Sequence, residues 1–172
     1  VVSTGSAGRF TAAQKDISPF TLATLAEGDI MNSIGSLNGP YGTPDGANNS
    51  LVSGSSDNFR WEVTTSDTSS GQFSLIIRQG NDTATSKQVV ETYPNLSLDP
   101  LAPNYISKII GDQVQTVAGT AGAYYLQTSG SYRNASRVVR VSEVALRTPN
   151  YLDNAGAAKA EFTASVPGIC SG

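Results

Sequence analysis

Alternation of apolar and polar residues is clearest between Phe59 and Tyr93. Phe59, Trp61, Val63 and Thr65 share one face of an extended segment and Arg60, Glu62 and Thr64 the other, which predicts a half-buried strand with a solvent side. After a turn from Thr65 to Gln72, Phe73, Leu75 and Ile77 continue the same apolar face in a second strand. Gly80-Asn81-Asp82 is a turn signal that folds Lys87 to Tyr93 back alongside, with Val89 or Val90 on the apolar face. Three sequential antiparallel strands in a meander follow from this pattern. Trp61, an aromatic inside an alternating strand, is expected in the core.

A change of period marks a helix over 103–111. Pro103 suits a first helical turn, where its missing N–H has no partner to lose, and Gly111 closes the segment. Tyr105, Ile106, Ile109 and Ile110 then share one face that packs on the sheet. Ser97 or Asp99 offers a side-chain oxygen to free N–H groups in the turn leading to the helix.

Outside this block the pattern is weaker. Phe20 to Ala26 and Arg137 to Leu146 read as further strands, and Phe162 to Val166 as a possible one preceded by a weak helix or turn from Asp153 to Glu161. Tyr124 and Tyr125 follow a small, flexible run from Ala118 to Ala123 and point to opposite sides, so one of the pair is expected to be exposed. The segment 33–56 is dense in Gly, Asn, Ser and Pro and predicts a long loop, a feature more often functional than neutral inside a compact domain. The predicted organisation is an extended lead-in over 1–19, a single β-rich domain over 20–166 and a C-terminal exit segment over 167–172. Its class is α+β and β-rich, an antiparallel meander with one short packed helix and long loops.

Composition agrees with that class. Hydrophobic residues are 38% and charged residues 15% of a 172-residue chain, a balance that favours a turn-dense β body with one core over a helical bundle. No repeat of 20 to 50 residues argues for a solenoid or propeller. A formal charge of -3 leaves no basic footprint for nucleic acid. The densest basic group, Arg133, Arg137 and Arg140, reads as a solvated strand edge that discourages edge pairing. No apolar run approaches membrane-spanning length and no signal-peptide pattern stands at Val1. The start at Val1 without Met suits a processed or truncated chain. Cys170 is the only cysteine, so stability must come from core burial without an internal disulfide, which suits a cytosolic origin.

One run joins these elements. Glu91-Thr92-Tyr93, then Asn95-Leu96-Ser97-Leu98-Asp99-Pro100, then Pro103-Asn104-Tyr105, resembles contractile-tail sheath proteins of bacteriophages and related contractile injection machines. Those proteins carry an E-T-aromatic-x-N-L-S-hydrophobic-D-P turn, a polar pair, and then P-N-Y before a short helix. The resemblance is strongest from Phe59 to Asp112. Here Leu101-Ala102 stands in place of the polar pair, which predicts a turn surface covered by something else in the protein. The resemblance implies a structural subunit that stacks in rings around a tail tube and re-packs on contraction, with no cofactor and no nucleotide consumed. It implies copies of the chain and the tail tube protein as partners, with neither nucleic acid nor membrane. It places the protein in the virion tail, made in the bacterial host cytoplasm, and makes this chain part of a larger sheath subunit. The loop 33–56 and the Asn95 to Ala102 turn are the expected contact surfaces. A phage fibre, decoration or adhesin-type β-domain that binds a host surface ligand is the alternative.

Candidate chemistry is sparse. The chain has no histidine, which removes the commonest general base, the Ser-His and Cys-His pairs and, with one cysteine, any credible zinc set. Calcium would have only Asp45, Asn48 and Asn49, or Asn81 and Asp82, and turn chemistry explains both groups. Glu62 and Glu91, on strands expected to be neighbours, are the one carboxylate pair worth weighing for glycoside hydrolysis. Ion pairing with Arg60, Arg78 and Lys87 on the solvent face explains them without a substrate. The reading is therefore of a non-enzyme.

Overall fold

A computed structural model describes residues 19–28, 30, 56–82 and 85–170. The elements run β1 (Phe20–Thr24), β2 (Phe59–Asp67), β3 (Gln72–Gln79), β4 (Val89–Ser97), α1 (Ile106–Ile110), β5 (Val114–Thr120), β6 (Ala123–Ser129), β7 (Val139–Val144) and α2 (Ala160–Thr163). The protein is β-rich with antiparallel sheets and, among the described residues, two very short helices. Strands β2, β3 and β4 form the meander that the alternation predicts, β1 pairs with β7, and β5 pairs with β6.

The core lies between the apolar face of the meander, the β1–β7 ribbon and α1. Trp61, Val63, Leu75 and Ile77 are fully buried there with Leu22, Val139, Ile106 and Ile110. Phe20 from β1 sits against Trp61 and Phe73, with ring centroids 5.2 and 5.7 Å away, and so ties the two sheets together. A bulge between Val63 and Thr65 shifts the β2–β3 register. Past it Thr65, on the core side of a regular strand, is exposed.

The predicted solvent side of β2 is not solvated. Arg60 and Glu62 are buried, as is Arg78 opposite Arg60 on β3, so the second face of the meander carries a covered polar layer where open water was expected. Alternation located both faces, but polarity alone does not reveal whether charges meet water or one another.

The helix is shorter than predicted, and its start has a structural cause. Ser97 forms a parallel bridge with Tyr105, and the Ser97 N–H donates to the Asn104 carbonyl at 3.0 Å. Tyr105 is therefore extended, with φ -57 and ψ 132, and α1 begins only at Ile106. Pro103 sits in the turn ahead of the helix and not in its first turn. Ile106 and Ile110, four residues apart, face the core, while Ile109 turns outward at 37% exposure. At the C-terminal end Gly111 has φ 104, and a Cβ there would lie 2.2 Å from Asn134 Cα.

Two further differences lie near the C-terminus. Residues 160–163 form α2 where a strand was expected from Phe162. The stretch read as an exit returns to the meander, where Val63 and Cys170 exchange N–H to carbonyl bonds of 3.1 and 3.2 Å along the outer edge of β2. The 33–56 loop lies outside the described residues except for Ser56.

Candidate assembly surface

The run from Glu91 to Tyr105 folds as a cross-linked knot. The Glu91 carboxylate accepts from Ser136 Oγ at 2.6 Å, from the Arg137 N–H at 2.9 Å and from the Tyr93 hydroxyl at 2.7 Å. This fastens β4 to the segment that leads into β7. Burial raises the Tyr93 phenol above its ordinary pKa, which keeps it a donor to Glu91. Asn95 has φ 53, a left-handed conformation that asparagine tolerates, and its carbonyl accepts from the Asn104 side chain. Leu96 and Leu98 point into the core, and Ser97 Oγ accepts the Asp99 N–H at 3.0 Å. Asp99 accepts from Leu101 N–H at 2.9 Å and from Asn150 N–H at 3.1 Å, so the turn is pinned to a distant loop. Lys108 reaches back from α1 to the carbonyls of Pro100 and Ala102 at 3.1 and 3.0 Å.

Each motif residue thus has a structural task. Glu91, Ser97, Asp99 and Asn104 hold backbone, Leu96 and Tyr105 fill the core, and Pro100 and Pro103 shape the turn. The surface of that turn is open: Leu101 is 66% exposed, contrary to the expectation that something covers it.

The covered face of the meander holds a closed ionic group. Arg78 donates to Asp82 through Nε at 2.6 Å and Nη2 at 2.7 Å, and to Glu62 through Nη1 at 2.8 Å. Lys87 donates to both Glu62 oxygens at 2.8 and 2.9 Å, and the Gln88 N–H donates to Asp82 at 3.0 Å. The Asp82 bonds raise the Arg78 pKa further, so its charge is fixed at any ordinary pH. Glu62 and Glu91 do not form a pair. The register aligns Glu62 with Ile76 and Thr92, and Trp61 with Ile77 and Glu91, so the two carboxylates leave opposite faces of the sheet. Asp82 is committed to Arg78 and the Gln88 N–H, and no acid, Cys or His cluster able to hold a metal occurs among the described residues. Nor is any described helix long and apolar enough to cross a membrane.

The feature that sequence reasoning missed is the β5–β6 hairpin. β-Branched residues at Val114, Thr116 and Val117 and the Ala121-Gly122 turn, with Gly122 at φ 88, are its local signals. The small residues between them had suggested a flexible run instead. Its base is clamped to the body by polar bonds. Asp112 exchanges bonds with the Tyr132 backbone through its N–H at 3.0 Å and its carboxylate at 2.7 Å, and the Asn134 side chain grips both backbone groups of Gln113 at 3.0 and 2.7 Å. Beyond the clamp, no other described strand pairs with the hairpin.

Both tyrosines are exposed, Tyr124 at 66% and Tyr125 at 60%, together with Val117 at 70% and Leu126 at 66%. Pairing of Val117 with Leu126 and of Gly119 with Tyr124 places Val117, Leu126 and Tyr124 on one face. Covering one such side chain completely is worth about 1.5–3 kcal/mol, so this face is an unspent apolar resource on the described surface. A groove of about 460 Å³ runs along the base of β5, lined by Thr24, Leu25, Arg133 and Arg140 among others. Arg140 is half-buried on β7, whereas Arg133 and Arg137 lie exposed in the segment before it.

Comparison of the chain with protein-family models, with curated proteins and with solved structures finds no match.

Proposed function

We propose that this chain is a structural domain of a contractile phage tail sheath subunit, stacking with copies of itself around a tail tube and re-packing when the tail shortens. The observation that carries the reading is the Glu91 to Tyr105 run, whose residues resemble the sheath motif and form one hydrogen-bonded knot. A subunit that moves between two packings without consuming nucleotide must move as a nearly rigid body. The knot supplies this rigidity by fastening β4, α1 and the segments before β7 and after Thr148 to one another. Many polar groups of the body are spent on internal bonds, while the β5–β6 hairpin carries four exposed large apolar side chains, Val117, Tyr124, Tyr125 and Leu126, an arrangement that suits assembly better than turnover. Copies of the chain and the tail tube protein are the proposed partners, and the virion tail is the proposed location.

Electron microscopy of particles carrying this protein tests the reading. Density for the domain in a helical layer around a tube is the expected result. Density at a fibre tip or on a capsid surface would overturn it in favour of a host-binding β-domain.

A further inference from the structure

The β5–β6 hairpin combines three properties that rarely coincide on a surface facing only water. The first is exposure: every residue of β6 is exposed, and no other strand pairs with either β5 or β6 among the described residues. Two-stranded ribbons of this kind are marginal by themselves. The second is the absence of charge over the 19 residues from Gln113 to Ser131. The third is the absence of edge protection. Natural proteins guard free edges with lysine, proline, inward charges or covering loops. The outer strand of the meander follows that practice, since β4 carries Pro94 and its Glu91 is bonded to the segment at Ser136. Among the described residues, neither β5 nor β6 has such a guard.

We propose that this hairpin is a self-association element: a second copy of the chain covers the face of Val117, Tyr124 and Leu126 and pairs with the open strand edges. The inference rests on the assembly reading above and names the surface that serves it. A neutral ribbon offers nothing to a phosphate backbone or an anionic lipid surface, because both are held by positive charge. It does complement itself, since another hairpin brings the same apolar face and the same unpaired N–H and carbonyl rows.

The size of the ribbon sets the strength of the contact. Seven residues at about 3.4 Å make it roughly 24 Å long, and two strands about 4.8 Å apart make it roughly 10 Å wide. One face then offers on the order of 240 Å², against about 800 Å² per partner in a standard stable interface. A single hairpin contact is therefore too small for a tight dimer and becomes effective only when repeated around a ring or along a stack, where each copy engages several neighbours. In solution the association is weak and rises with concentration.

Sedimentation of the full chain from roughly 10 μM to about 1 mM tests this, a range that brackets weak association. The weight-average mass is expected to climb above the 17.9 kDa monomer. Val117→Lys and Leu126→Glu, both at exposed positions, should retain the parent circular dichroism and remain monomeric throughout, whereas Val117→Ile should associate as the parent does. A parent that stays monomeric at the highest concentration overturns the proposal, as does a Val117→Lys chain that associates normally. Hydrogen exchange separates a third outcome: β5 and β6 amides equally protected at both ends of the range would mean that the chain covers its own hairpin, which also overturns it. Failure here and failure of the sheath reading are distinct. Sheath density with the hairpin facing solvent removes only this inference, and hairpin association in a protein whose density lies elsewhere removes only the other.

Discussion

Removing the Asp82 carboxylate should be among the most damaging single changes available in this protein. Asp82 and Arg78 are each 1% exposed, and the aspartate takes two of the three guanidinium bonds, at 2.6 and 2.7 Å. Arg60, Arg78 and Lys87 face Glu62 and Asp82 in this group, and Asp82→Ala removes one of the carboxylates that balance them. Breaking a buried pair in this way costs about 3–5 kcal/mol, because the remaining ion keeps its desolvation penalty without its partner. The Gln88 N–H also loses its acceptor. At roughly 2–4 °C per kcal/mol for a chain of this size, Asp82→Ala should lower the melting temperature by on the order of 10 °C. The Arg78→Met, Asp82→Leu double variant should lose much less than the sum of the two single losses, since apolar replacement of a whole buried pair is often nearly neutral. Urea unfolding followed by circular dichroism measures Asp82→Ala, the Arg78→Met and Asp82→Leu single variants and the double. An Asp82→Ala cost below about 1 kcal/mol, or strictly additive single losses, would refute the claim that burial makes this pair interdependent.

Other outcomes follow from the same geometry. Ile110→Asp should unfold the domain or nearly so, whereas Ile109→Asp should cost about 1 kcal/mol or less, because only Ile110 faces the core; equal melting temperatures would refute the helix orientation. Gly111→Ala should destabilise by more than about 1 kcal/mol, since φ 104 is strained for alanine and the new Cβ meets Asn134 backbone; an unchanged urea midpoint would contradict this. Bonds from the Ser69 and Ser70 hydroxyls and the Ser69 N–H hold the Asp67 carboxyl down at about 2. Because its folded pKa is depressed, its stabilising contribution is present above the unfolded carboxyl value and is lost as pH falls through about 2. Carboxyl NMR should show that low midpoint, and Ser69→Ala should move it toward the ordinary carboxyl value of 3.8.

Period and turn chemistry decided much of the fold before any tertiary contact was known. The Phe59 to Tyr93 alternation with its Gly80-Asn81-Asp82 turn is a local signal, and it yields the meander and the burial of Trp61, Leu75 and Ile77 because a strand exposes one periodicity to one face. In the motif run the turn before α1 was legible, but Asn95 to Ser97 continue β4 and the helix begins only at Ile106. The bonding partners of the motif residues were not legible. Ser136, Arg137 and Asn150 come from 45 residues or more along the chain, and no local pattern points to them. Tertiary structure also decided which polar faces are wet. Arg60, Glu62 and Arg78 look like a solvated strand face in sequence, yet they meet Asp82 and Lys87 in a closed group that allows their burial. Bridging of Ser97 to Tyr105 delayed the helix past Pro103 and so turned Ile109 outward. The hairpin shows the converse: its strands are locally encoded, but its lack of a packing partner among the described residues is a property of the folded chain alone, because exposure depends on what the rest of the molecule does not cover.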